Sequence, residues 1–170
     1  MTTTYYDVFP SFSGEDVRIT FLSHFLKELD QKSIIVFKDN EIERSRSLNP
    51  ELKQAIKDSR IAVVIFSKNY ASSSWCLNEL LEIVKSKEEY DQIVIPIFYG
   101  LDSSHVTNQT GDFGKKFEET CYGKTEELIT QWKKALTKVA SILGYNSVDW
   151  DNEATMIEAI AIDVLNQRSS

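Results

Sequence analysis

Three short runs of this chain are apolar at nearly every position: Tyr6-Asp7-Val8-Phe9-Pro10-Ser11-Phe12, Ile61-Ala62-Val63-Val64-Ile65-Phe66 and Ile93-Val94-Ile95-Pro96-Ile97-Phe98-Tyr99. A strand with one wet face alternates polar and apolar side chains. A strand apolar on both sides is covered on both faces, which is the condition of a parallel sheet between helix layers. Ile34-Ile35-Val36-Phe37 reads as a further strand, second in chain order, and Val148 to Trp150 as a fifth at an edge. Between them lie stretches with helical spacing: about 17–31, Pro50 to about Asp58, the segment after Ser74, 112–122, 126–143 closed by Gly144, and 152–167. Pro50 suits a first helical turn, whereas Pro10 is unusual inside a strand. The strand–helix alternation predicts an α/β fold with right-handed crossovers and helices on both faces. Five strands suit the flavodoxin-like order 2-1-3-4-5. In that order strands one and three are neighbours, and a crevice opens between the loops after them, Phe12-Ser13-Gly14 and Ser67 to Trp75.

The crevice gives weight to Ala71-Ser72-Ser73-Ser74-Trp75-Cys76-Leu77-Asn78-Glu79-Leu80. The serines offer helix N-caps. Leu77, Leu80, Leu81 and Val84 recur on a core-facing stripe, and Trp75 and Glu79 are one turn apart on another. Glu79 therefore reads as a surface-facing carboxylate beside an indole, just past a central strand. An acidic residue favoured near a helix start by the helix dipole would look the same.

Composition narrows the function. At 170 residues the chain is the size of one domain. Its net charge of −7 argues against general binding to nucleic acid or anionic membrane, both of which attract cations. No apolar stretch is long enough to span a bilayer, and polar residues follow Met1 where a signal peptide would be apolar. Cys76 and Cys121 lack metal-ligand spacing and read as reduced thiols. With only His24 and His105, a His-rich metal site or a Ser-His-Asp triad is not expected. His24, on an amphipathic helix, reads by itself as a surface histidine.

Three uses of such a fold can be compared. A phosphoacceptor receiver needs an aspartate ending strand three, but here the strand ends Phe66-Ser67-Lys68. A flavin carrier needs a phosphate cradle after strand one. Ser11-Phe12-Ser13-Gly14 is short for that, and no Walker-type or G-x-G-x-x-G run occurs. The third is a Toll/interleukin-1 receptor (TIR) type domain. Tyr6-Asp7-Val8-Phe9-Pro10-Ser11-Phe12-Ser13-Gly14-Glu15-Asp16-Val17-Arg18 resembles the opening strand and loop of the plant form. Phe21-Leu22-Ser23-His24 resembles its first helix, and Ile42-Glu43-Arg44-Ser45 through Pro50-Glu51-Leu52 its long loop after strand two. Tyr70 to Leu80 resembles its most diagnostic segment, and Asp151-Asn152-Glu153-Ala154 its last helix.

The resemblance implies a single TIR domain over 1–170, with a core of about 5–168, cut from a longer intracellular nucleotide-binding leucine-rich-repeat immune receptor of cytoplasm or nucleus. It implies a domain that self-associates and cleaves NAD or NADP, as substrate and without metal or other cofactor, at the nicotinamide–ribose bond. By this resemblance Glu79 matches the catalytic glutamate. Phe12, Ser13, Gly14 and Trp75 match the substrate pocket. Ser23 and His24 match one self-association interface, and Gly144 with Tyr145 a second. The 39–49 loop matches one that shapes the pocket mouth and contacts the next subunit. Implied partners are other TIR domains, as a weak dimer and an active tetramer, and lipase-like heterodimers that read the nucleotide products. Ser13 stands where many members carry arginine, and Ser45 where glycine is common. An adaptor that signals by homotypic assembly alone is the alternative implied by those departures.

Overall fold

The computed structural model describes residues 5–14, 18–38 and 48–168. Its sheet is parallel, with β1 (Tyr6–Ser11), β2 (Ser59–Phe66), β3 (Ile93–Phe98) and β4 (Tyr145–Asn146) side by side in chain order. The sheet has four strands where five were expected: the Ile34–Phe37 segment lies on the outer side of β1, where the 2-1-3-4-5 order puts it, but among the described residues it pairs through a single bridge, Val36 beside Val8.

Pro10 accounts for that brevity. Val8 donates its N–H to Ile35 O and accepts from Phe37 N. Alternate residues turn their N–H groups to the same neighbour, so the next rung falls on Pro10, which has none to give. The same logic shortens β4. Tyr99 donates to Phe66 on the β2 side, which turns the position of Pro96 toward β4, and β4 pairs only beyond it, at Ile97 and Phe98. The expected edge strand at Val148–Trp150 is found three residues earlier, at Tyr145–Asn146. Residues Ser147–Asp149 form a 3₁₀ turn instead.

Alternation along each strand divides the core into two layers. Phe9, Ala62, Val64, Phe66, Val94 and Phe98 face one cluster. It is covered by α2 (Pro50–Lys57), α3 (Ser74–Tyr90), α5 (Gly111–Cys121) and α6 (Glu126–Ala140). Val8, Ile61, Val63, Ile65, Ile95 and Ile97 face the other, covered by α1 (Ser23–Gln31) and α7 (Glu153–Arg168). A short α4 (Ser103–Asn108) completes the helices. Its cap is Asp102, whose side chain accepts from Ser104 N and is thereby held below the usual carboxylate range.

Two further expectations change. Helix α1 is entered through a π-helical turn, Arg18–Leu22, where a continuous helix was expected. Gly144 does not cap α6, which ends at Ala140. Its backbone is pressed against β3, and a Cβ there would meet Pro96 O at 2.0 Å. Most of the 39–49 loop, with Ser45, lies outside the described residues.

Candidate active site

The site grows from the carboxyl ends of β1 and β2. β1 ends in Ser11, a hydroxyl at the close of an otherwise largely apolar strand. β2 ends in Phe66, and the chain turns through Ser67 into a 3₁₀ turn, Tyr70–Ser72. Ser73 then caps α3, its side chain accepting from Cys76 N at 3.1 Å. That cap sets the first turn of α3 across the end of β1. Cys76 Sγ reaches Phe12 O at 3.4 Å.

Glu79 enters from the second turn of α3 and lies against Ser11. Ser11 Oγ donates to Glu79 Oε1 at 2.9 Å. The Trp75 indole Nε1–H, one turn earlier, donates to Oε2 at 3.0 Å. Tyr70 Oη is 2.8 Å from Ser11 Oγ and 3.2 Å from Cys76 O. A carboxylate thus sits between an indole and a chain of two hydroxyls, beside the backbone of Phe12 in the loop after β1.

One expectation about Glu79 is corrected. It is not surface-facing but only 1% exposed. The single core stripe assumed for α3 was too narrow. Trp75, Cys76, Leu77, Glu79, Leu80, Ile83 and Ser86 are all buried, because the helix packs on the sheet and is flanked by α2 and α6 as well. Trp132 of α6 clasps it by donating from Nε1 to Asn78 Oδ1 at 3.1 Å.

Phe12 and Ser13 are buried and Gly14 is half-buried; the Phe12 ring packs in the layer under α1 and α7, and it is its carbonyl that reaches the site through Cys76. Ser23 and His24 are exposed at the start of α1, away from Glu79 in the fold, with Ser23 Oγ donating to Thr20 O at 3.2 Å. Gly144 and Tyr145 open β4 at the far edge of the sheet. Tyr145 Oη donates to Asp163 Oδ2 at 2.8 Å, and burial together with that carboxylate pushes its pKa up to about 12. Ser11 and Tyr70 were not singled out from sequence as site residues. The available signal was a lone hydroxyl at the end of an apolar strand. Among the described residues no group of three or more His, Cys, Asp or Glu side chains could hold a metal. Nor is any helix long and apolar enough to cross a membrane.

Residues 5–170 match the family described as the TIR domain. The chain belongs to that family. This TIR domain is 73% identical over 162 residues to the disease resistance protein RPS6 of Arabidopsis thaliana, covering 95% of this chain and 14% of that protein. It is 62% identical over 162 residues to the Arabidopsis thaliana protein SUPPRESSOR OF npr1-1, CONSTITUTIVE 1, covering 95% of this chain and 11% of that protein. The chain thus spans a small fraction of the length of these relatives. Its structure is similar to the TIR domains of the activated Roq1 resistosome that directly recognizes the pathogen effector XopQ, with a TM-score of 0.85 and 42% identity over 93% of this chain and 98% of that one. The RPS4 and RRS1 TIR domain heterodimer shares the fold at 18% identity and a TM-score of 0.57. The family, the α/β fold and the kinship with plant disease-resistance proteins expected from the sequence all stand.

Proposed function

We propose that this TIR domain cleaves NAD or NADP at the nicotinamide–ribose bond, with Glu79 as the catalytic group. The observation that carries this reading is a carboxylate held by Ser11 and Trp75 at the carboxyl ends of two central strands, where open α/β sheets take their ligands. Nicotinamide in NAD is a cationic leaving group and needs no acid to protonate it. One carboxylate therefore suffices, where ordinary glycosidases use two. As the bond to nicotinamide breaks, its electron pair leaves with the ring. Positive charge builds on the ribose, and Glu79 stabilises it. Water then adds to the ribose carbon and loses a proton, giving ADP-ribose (phosphorylated for NADP) and free nicotinamide. Trp75 can stack on a flat ring and exclude water. The Phe12, Ser13 and Gly14 loop is read as the rest of the substrate pocket.

The reading extends to assembly. This domain associates with other TIR domains through Ser23 and His24 and through Gly144 and Tyr145. Its nucleotide products are read by lipase-like heterodimers in cytoplasm or nucleus, and it is one part of a longer immune receptor. Support comes from the likeness to TIR domains of an activated resistosome.

A second reading, assembly without catalysis, is favoured by two observations. Glu79 is almost fully enclosed in the single chain, and Ser13 supplies no charge for the substrate's phosphates. Nicotinamide release from NAD by the domain fused to an oligomerising scaffold separates the two. Release by wild type and its loss in Glu79→Gln support the enzyme. No release above the Glu79→Gln level leaves the adaptor.

A further inference from the structure

The hydroxyls of Ser11 and Tyr70 take no part in the reaction written above, yet both residues are 0% exposed. Neither hydroxyl is needed to fill space. The Tyr70 ring packs edge-on against Phe66 with centroids 5.1 Å apart, and phenylalanine would fill the same volume. A polar group taken from water needs a compensating bond, so the hydroxyls are placed for what they bond.

Counting hydrogens shows the order of the chain. Ser11 spends its one hydrogen on Glu79 Oε1. Ser11 Oγ is then left to accept from Tyr70, whose phenol lies 2.8 Å from it and 3.2 Å from Cys76 O. The phenol is itself fixed, because its turn is tied to α5 at two points. Thr120 Oγ1 donates to Ala71 O at 2.6 Å, and Lys116 Nζ donates to Asn69 Oδ1.

We propose that Ser11 and Tyr70 are positioning residues for Glu79. They anchor Oε1 from the buried side, so that Oε2 is the oxygen turned to the ribose once Trp75 gives up its bond to it. Trp75 is less enclosed than Ser11, and its indole is also the group read as stacking on substrate. This inference rests on the reading of Glu79 as the acting carboxylate. It adds which residues aim that carboxylate and which of its oxygens acts.

The test uses the indole N–H of Trp75 as a reporter of the carboxylate, with Trp132 as an internal reference. Trp132 Nε1 is bonded to Asn78 on the same helix, so general loosening of α3 moves both signals. Hydrogen exchange of the two indoles is followed in ¹⁵N-labelled wild type, Ser11→Ala and Tyr70→Phe. In Ser11→Ala the Trp75 indole should exchange roughly tenfold faster relative to Trp132, with a smaller change in the same direction in Tyr70→Phe. In the scaffold-fused domain, kcat for nicotinamide release should fall roughly tenfold in Ser11→Ala with KM within about twofold, since an aim and not a contact is lost. The double variant should be no slower than Ser11→Ala, because Tyr70 acts through Ser11.

An unchanged Trp75-to-Trp132 ratio in both variants overturns the proposal whatever the activity. So does an unchanged kcat in an active fused domain. If Ser11→Ala does not fold, Tyr70→Phe decides alone, since it keeps the ring and its packing. If wild type releases no nicotinamide while Trp75 is selectively loosened, the two hydroxyls hold the carboxylate as proposed, and it is the NAD reading that falls.

Discussion

In Glu79 the proposed chemistry and the stability of the fold meet in one side chain. Both its oxygens accept hydrogen bonds and it is enclosed. Truncation to alanine removes the acceptor and strands the Trp75 N–H, at a cost of about 1–3 kcal/mol for a buried donor left unpaired, while Ser11 can turn its hydrogen to Tyr70. Glu79→Ala should therefore melt roughly 5–10 °C below wild type, and differential scanning calorimetry checks it. Glu79→Gln should melt within about 3 °C of wild type, because its hydrogens can be redistributed. Trp75 donates to the new amide oxygen, the amide nitrogen donates to Ser11, Ser11 donates to Tyr70, and Tyr70 donates to Cys76 O. The glutamine variant is thus the proper control for activity, and equal melting of the alanine variant and wild type would put Glu79 back at the surface. The pairing of Trp75 with Glu79 was legible because i to i+4 spacing fixes it. The burial of Glu79 was not, because the polar code of a carboxylate is read as a solvent face unless a partner from elsewhere in the chain is known. That partner, Ser11, is 68 residues away, and only the sheet brings it near.

Strand β4 shows how a nearby element can be misplaced when the general order is right. Alternating apolar runs and helical spacing were enough for parallel strands, two layers and the position of the crevice. Which residues would actually pair depended on two prolines, and their effect appears only once the neighbour facing each missing N–H is known. Gly144 follows from the same geometry. Its alanine variant places a methyl against the backbone of Pro96, which has no side-chain freedom to yield. Gly144→Ala should lose about 1–3 kcal/mol in chemical denaturation, and a variant as stable as wild type would mean that β4 can shift without cost. Lost self-association in a Gly144 variant therefore reports on the fold before it reports on an interface. Tyr145, the next residue, carries a pH signature. Its folded pKa of about 12 lies above the ordinary value of 10. The neutral phenol is the favoured form, so its contribution is whole below pH 10 and lost as pH rises toward 12. The stability gap between wild type and Tyr145→Phe, about 1 kcal/mol for one hydrogen bond, should stay level from about pH 7 to 9 and close between about pH 10 and 12. A gap that instead changes near neutral pH would assign the difference to another group.

For the whole molecule, the opposition is between an enclosed carboxylate and the proposed reaction, which requires contact with substrate. A single chain leaves Glu79 1% exposed, so the free domain has to open before a ribose can reach Oε2. Association with another copy can stabilise the open form by mass action. The chain's own charge works against that association. At −7 two copies repel, and the repulsion is screened over about 8 Å only at physiological ionic strength. Exposed Ser23 and His24 on one side, and Leu143 and Val148 flanking β4 on another, are modest contacts to set against it. The isolated domain should therefore be mostly monomeric and nearly inactive at low concentration. Nicotinamide release per chain should rise with protein concentration, rise again as salt is brought from about 20 to about 150 mM, and rise most in a scaffold fusion, where the second contact becomes intramolecular. Ser23→Ala with His24→Ala should flatten the concentration dependence of the free domain while leaving its melting temperature within about 2 °C, as befits exposed positions. It should cost the fusion little, because the scaffold replaces the lost contact. Activity per chain that is constant from dilute monomer to fusion would show that opening is intrinsic to one chain, and would remove assembly from the mechanism. A free domain whose activity falls as salt is raised would show that its charge aids association. The rise with both concentration and salt is what an enclosed glutamate on a strongly anionic domain requires.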